Sequence, residues 1–171
     1  MDTTFGGTGF VETDQAGDEY SSAMVADPDG HLLVVGNAYP WSESDDFFLI
    51  RYSASGPLDQ TFGSGGIAHS RFLAGKANLA HDVARQADGK YVVVGSDGRG
   101  RLATARFRSD GTLDASFGVG GVVLTNPAGY DAGANCVVIQ PDGKIVVGGW
   151  RQAKTRIFQG LYYVLARYLA S

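Results

Sequence analysis

Three phrases recur along this chain in a fixed order, and a period of several tens of residues constrains a fold more than any single motif does. The first phrase is glycine-rich: "DTTFGGTG" around Phe5, "LDQTFGSGG" around Phe62 and "LDASFGVGG" around Phe117. The second joins a turn to an apolar run: "DPDGHLLVVG" from Asp27, "QADGKYVVVG" from Gln86 and "QPDGKIVVGG" from Gln140. The third ends an apolar segment in arginine and an aromatic: "FLIRY" with Arg51, "ATARF" with Arg106 and "VLARY" with Arg167. Equivalent positions lie 54 to 61 residues apart, so the 171 residues read as one repeat domain with units at approximately 2–57, 58–112 and 113–171.

A lone "FGSGG" resembles a phosphate loop, but such a loop follows a strand and opens a helix. No helix follows here, and a nucleotide cradle has no reason to be written three times. The glycines serve sharp turns, and the phenylalanine is expected to plug the gap between neighbouring units. In Pro-Asp-Gly the proline presets φ, aspartate tolerates the next position and glycine accepts positive φ, which together make a hairpin corner. The second copy carries Ala87 at the proline position and is expected to turn slightly less well. After each turn, "HLLVVG", "KYVVVG" and "KIVVGG" are apolar at successive positions, so both faces of the strand must be covered. "ANLAHDVARQA" has a helical stripe at Leu79, Ala80, Val83 and Ala84, yet its aligned partners "SSAMVAD" and "ANCVVIQ" have none, and it is read as a strand. Glycine, at 25 of 171 residues, stands at roughly twice its usual share of about 7%, as expected for a turn-rich all-β chain. Each unit then reads as four short antiparallel strands, and repeated sheets covered on both faces are the blades of a β-propeller, with the glycine-rich phrase crossing from blade to blade.

These phrases resemble the delta-60 repeat family of bacterial proteins. The resemblance spans essentially the whole chain and is strongest in the third copy, with "LDASFGVGG", "IQPDGKIVVGG" and "LARY"; "DTTFGGTG" and "DPDGH" depart from the pattern. It implies a β-propeller, an extracellular or cell-surface setting and no general catalytic activity.

Propellers use about 4 to 8 blades, because fewer cannot surround a channel, and three blades call for completion. Setting "RYLAS" against "MDTTFG" keeps phase with the internal "RYSASGPLDQTFG" to within two residues. The expected partner is therefore a second copy of the chain, in a head-to-tail homodimer that closes a six-bladed ring. The loop "NAYPWSESDD" carries Glu43, Asp45 and Asp46, whereas "WRQAKTRIFQG" carries Arg151, Lys154 and Arg156. In such a ring the two loops lie side by side and their charges set register; Phe5 would sit at the same interface.

The recurring Arg51, Arg106 and Arg167 lie in apolar strands, where an unpaired guanidinium is costly. Asp59, Asp114 and Asp2 recur in the glycine-rich phrase, so one structural ion pair per blade is expected. Tyr39, Trp41, Trp150 and Phe158 occupy corresponding rim loops and could stack on sugars, which makes a propeller lectin the alternative to a plain binding or assembly scaffold. Against the lectin, "SDGRGR" in the second unit has no aromatic. His69 and His81 fall on adjacent strands with Asp82 nearby, but no ligand pattern recurs. No catalytic motif stands out, and no metal or cofactor is expected.

The formal charge of −4 and the scattered basic residues exclude a nucleic-acid footprint. No apolar run approaches the roughly 20 residues of a membrane-spanning helix, and "MDTTFGG" has neither region of a signal peptide. Cys136 is the only cysteine, so no intramolecular disulfide can form. Its apolar neighbours "NCVVI" predict a buried structural thiol.

Overall fold

The repeated turns divide the chain into antiparallel strands. The computed structural model describes residues 1–14, 18–39, 46–70, 78–154 and 159–170. Eleven strands follow in order: β1 (Asp18–Ala26), β2 (Leu32–Tyr39), β3 (Asp46–Tyr52), β4 (Ile67–Ser70), β5 (Asn78–Arg85), β6 (Tyr91–Asp97), β7 (Arg101–Phe107), β8 (Val122–Thr125), β9 (Ala132–Ile139), β10 (Ile145–Lys154) and β11 (Gln159–Tyr168). The segment with the helical stripe is strand β5, as its aligned partners require.

Three antiparallel sheets form the blades. Blade I is β1-β2-β3-β4 and blade II is β5-β6-β7-β8. Blade III is β9-β10-β11, three strands among the described residues. The first strands meet at the hub, where β5 packs against both β1 and β9. The all-β propeller architecture is thus present, with the outer place of the third blade open among the described residues.

The sheets are out of phase with the sequence units. Ile67 to Ser70 pair with Ile50 to Phe47, and Val122 to Thr125 pair with Ala105 to Leu102. The strand after the second and the third glycine-rich phrase is therefore the outer strand of the preceding blade. The phrase does not cross between blades, as its position suggested; it returns the chain beside the strand it has just left. Gly63 makes that return possible: its φ is +54°, and a Cβ there would sit 2.0 Å from the Ile67 carbonyl oxygen. The passage from blade II to blade III comes after β8, through a 3-10 turn at Pro127–Gly129.

The apolar run of β6 is covered on both sides. Tyr91 and Val93 join the core between blades I and II, with Leu33, Val35, Phe47 and Leu49. Val92 and Val94 join the core between blades II and III, with Val137, Ile145 and Val147. Each inner strand also bulges at an aligned place: between Ser21 and Ala23, between Ala80 and Asp82, and opposite Gly148 and Gly149. The glycine ending each apolar run faces that bulge, and a Cβ on Gly95 would lie 1.7 Å from the Leu79 carbonyl oxygen. Close backbone approach fixes glycine at this position.

Cys136 departs from expectation. It is exposed, because it lies on the face of blade III turned away from blade II. There a Cβ on Gly148 would meet both Cys136 Sγ and Leu165.

Candidate functional site: the joints between blades

The repeated charged residues converge on the base of each joint. At the I/II joint, the Arg51 amide donates to the Gly66 carbonyl at 2.9 Å and its carbonyl accepts from the Asp59 amide at 2.9 Å. The guanidinium donates from Nε to Asp59 Oδ2 at 2.7 Å, and Nη2 lies 2.6 Å from the same oxygen. From Nη1 it donates to the Ser109 carbonyl of blade II at 2.6 Å. The charge also sits 4.8 Å from the centre of the Phe62 ring. Phe62 is fully buried between the blades, edge-on to Tyr91, and so fills the gap that its motif predicted.

Joint II/III repeats this arrangement with new residues. The Arg106 amide donates to the Gly121 carbonyl at 2.9 Å, and Nε donates to Asp114 Oδ2 at 2.9 Å. Nη1 reaches the Ala170 carbonyl of blade III at 2.7 Å, and the guanidinium stands 4.7 Å from the Phe117 ring centre. Both carboxylates titrate well below the ordinary value. Burial pushes Asp59 up, but hydrogen bonds from Thr61 and the Arg51 charge outweigh it and hold the pKa at about 2. For Asp114 the Ser116 hydroxyl leads; burial opposes it, while the Ser116 amide, Arg106 and Lys90 reinforce it, again giving about 2.

The third set of residues is present in halves that do not meet. Arg167 on β11 is exposed and has no ion-pair partner among the described residues. Asp2 already has the local geometry of Asp59 and Asp114. Its Oδ1 accepts from the Thr4 amide at 2.9 Å and the Thr4 hydroxyl at 2.7 Å, which lowers its pKa. The Gly6 amide donates to the Ser55 carbonyl of blade I at 2.8 Å, as Gly63 donates to Asp110 of blade II at 2.7 Å. Two of the three expected pairs are therefore formed within the chain, and the Asp2 phrase is docked on blade I without its arginine.

The other predicted site residues are placed as follows. Phe5 is half-buried in the Asp2 phrase. The Trp150 indole packs over Gly133, with Nε1 3.1 Å from where a Cβ would be. Arg151 stacks on Tyr162 at 4.6 Å and Tyr130 at 5.5 Å, inside its own blade. Trp41, Glu43, Asp45, Arg156 and Phe158 lie outside the described residues. Tyr39, Asp46 and Lys154 are placed by backbone at strand ends, and their side chains lie outside the description too. His69 stacks edge-on to Phe48, and the His81 Nδ1 lies 2.7 Å from the Ala134 carbonyl. Among the described residues no cluster of three metal-ligating side chains occurs.

Several joint residues escaped the sequence reading because each occurs in one unit. Asn37 exchanges hydrogen bonds with the Ala80 amide and carbonyl across joint I/II. Asp82 Oδ2 accepts from the Val137 amide at 2.8 Å across joint II/III. Asp27 of blade I pairs with Arg85 at 2.9 Å and accepts from the Tyr91 hydroxyl, both on blade II.

Blades joined face to face around a hub, each locked to the next by an arginine, a carboxylate and a phenylalanine, define a β-propeller repeat protein. The chain belongs to the family described as domain of unknown function (DUF5122) beta-propeller, whose model matches residues 28–62, 86–117 and 140–158. No curated protein matches the chain.

Proposed function

We propose that this chain is a non-enzymatic propeller module acting as a binding and assembly scaffold, and that two copies join head to tail into one six-bladed ring. The observation that carries the proposal is the contrast at equivalent positions of the three blades. Phe47 in blade I and Leu102 in blade II are 0% exposed, whereas Tyr163 in blade III is 102% exposed. Leu161 and Leu165 extend the same uncovered face, at 71% and 79%. An apolar face of this kind marks an interaction surface.

The opposite end of the chain offers a matching surface. Blade I leaves Met24 exposed on its outer face, beside a groove lined by Gly36, Phe48, Ile50 and Tyr52. Heterologous contacts that close give a ring. A non-enzymatic reading is supported by the use of the recurring charged residues as joints. The delta-60 kinship belongs to the same proposal, supported by the phrases of the third unit.

Light scattering on the 171-residue chain tests the assembly. The expected mass is twice the 18.0 kDa of one chain. A monomer at tens of micromolar, a nine-bladed trimer or an open-ended series of oligomers would overturn the six-bladed ring.

A further inference from the structure

We infer that the joint between two copies is made by strand transfer: Phe10 to Thr13 of one copy become the fourth strand of the other copy's blade III, and Asp2 of the first pairs with Arg167 of the second. The inference rests on the head-to-tail reading and specifies its chemistry.

The chain makes this joint twice internally, and both times in the same register. Ile50 faces Ile67 and Leu49 faces Ala68 in blade I; Ala105 faces Val122 and Thr104 faces Val123 in blade II. Counting from the repeated arginine and the repeated phenylalanine, the same pairing in blade III sets Ala166 opposite Phe10, Leu165 opposite Val11, Val164 opposite Glu12 and Thr13 opposite Tyr163.

The donor segment already sits where a donor belongs. Thr125, at the end of the fourth strand of blade II, bonds the Tyr168 hydroxyl of the following blade at 2.7 Å. Thr13 takes the equivalent bond from the Tyr52 hydroxyl of blade I at 2.8 Å. Phe10 to Thr13 therefore lie against blade I as the fourth strand of a blade before it, with no sheet partner among the described residues. The missing partner also explains Phe10, which is 54% exposed while its equivalents Ile67 and Val122 are 8% exposed.

Charge completes the match. Each formed joint carboxylate faces a second basic group from the blade that supplies its arginine: His31 Nε2 at 3.6 Å from Asp59, and Lys90 Nζ at 3.5 Å from Asp114. Lys144 holds that place in blade III. A second copy brings Asp2 to Arg167 and Lys144 together, and strand addition at an open edge is a recurrent way for chains to recognise each other.

Cysteine cross-linking in a Cys136→Ser background tests the register. Val11→Cys with Leu165→Cys is expected to give a disulfide-linked dimer under mild oxidation, whereas Val11→Cys with Leu161→Cys gives little. Arg167→Ala is expected to weaken self-association at least tenfold without changing the circular dichroism of the dilute chain. Amide exchange on the unmodified protein supplies the same readout without substitution: residues 10–13 and 163–166 gain protection as concentration rises. A dimer whose cross-links ignore the register, and whose two segments exchange freely, overturns strand transfer while leaving the head-to-tail ring intact. A chain that never dimerises overturns both.

Discussion

Blade II and blade III carry the same kind of sheet and differ in how many neighbours they have. In blade II, Leu102 and Thr104 are fully buried and Arg106 is 1% exposed, because blade III covers them. In blade III, the equivalent Tyr163, Leu165 and Arg167 all face outward. Burial in a propeller is thus conferred by the next blade and not by the strand itself. Stability in such stacked arrays approximates a sum of unit terms and neighbour interfaces. A blade with one neighbour is expected to hold its strands less firmly than a blade with two.

The largest test of this contrast removes the arginine from each blade. Arg106→Ala leaves Asp114, whose side chain is 3% exposed, without its main counter-charge. Breaking a buried pair by deleting one partner costs about 3–5 kcal/mol. Arg167→Ala removes an exposed side chain with no ion-pair partner among the described residues, and the expected change in the dissociated chain is within about 0.5 kcal/mol. Urea unfolding at low protein concentration measures both, and equal losses would show that blade III is not the loosely held one.

Acid unfolding sharpens the same comparison with a smaller effect. Asp59 and Asp114 have folded-state pKa values near 2, below the 3.8 of an unperturbed carboxylate. Because the folded pKa is depressed, the unfolded state binds more protons in this range. The stabilisation is fully present above pH 4 and disappears as pH falls from about 4 towards 2. Asp114→Asn is expected to flatten the acid limb of a stability-against-pH curve. Asp2→Asn, at an exposed carboxylate without its arginine, flattens it less. The reverse order would place the working ion pair at the wrong joint.

The sequence disclosed whatever recurs. Strands β2, β6 and β10 follow from apolar runs after a Gly turn, and the Arg-Asp-Phe joints follow from three copies of three residues. The phase of the sheets was hidden, because "GIAHS" is equally consistent with opening its own blade or closing the one before. Only backbone pairing decides between them. The contacts of Asn37, Asp82 and the Asp27, Arg85 and Tyr91 cluster were illegible for the opposite reason. Each joins residues of two different units once, so no recurrence announces it. Cys136 misled because apolar neighbours along a strand say nothing about the sheet's uncovered face. The lectin reading rested on aromatics in two of the three units, and two of those residues, Tyr39 and Trp150, lie within strands β2 and β10 and not in rim loops.

The smallest expected effect concerns the three hairpin corners, which share one backbone pattern despite different residues. Gly30, Gly89 and Gly143 donate to the carbonyls of Asp27, Gln86 and Gln140 at 2.9, 3.0 and 2.8 Å. Blades I and III place Pro28 and Pro141 after that acceptor, while blade II places Ala87, which is exposed and whose amide takes no part in these turn bonds. Proline in a compatible turn restricts the unfolded chain and stabilises by about 0.4–1 kcal/mol. Ala87→Pro should raise the global unfolding free energy by that amount, because blade II, clasped on both faces, cannot unfold alone. Pro141→Ala should lose less in global unfolding, since blade III can fray before the rest gives way. Hydrogen exchange in β10 and β11 would then show the loss as faster local opening. If both substitutions moved global stability equally, the blades would unfold as one body, and the difference in neighbours would carry no thermodynamic weight.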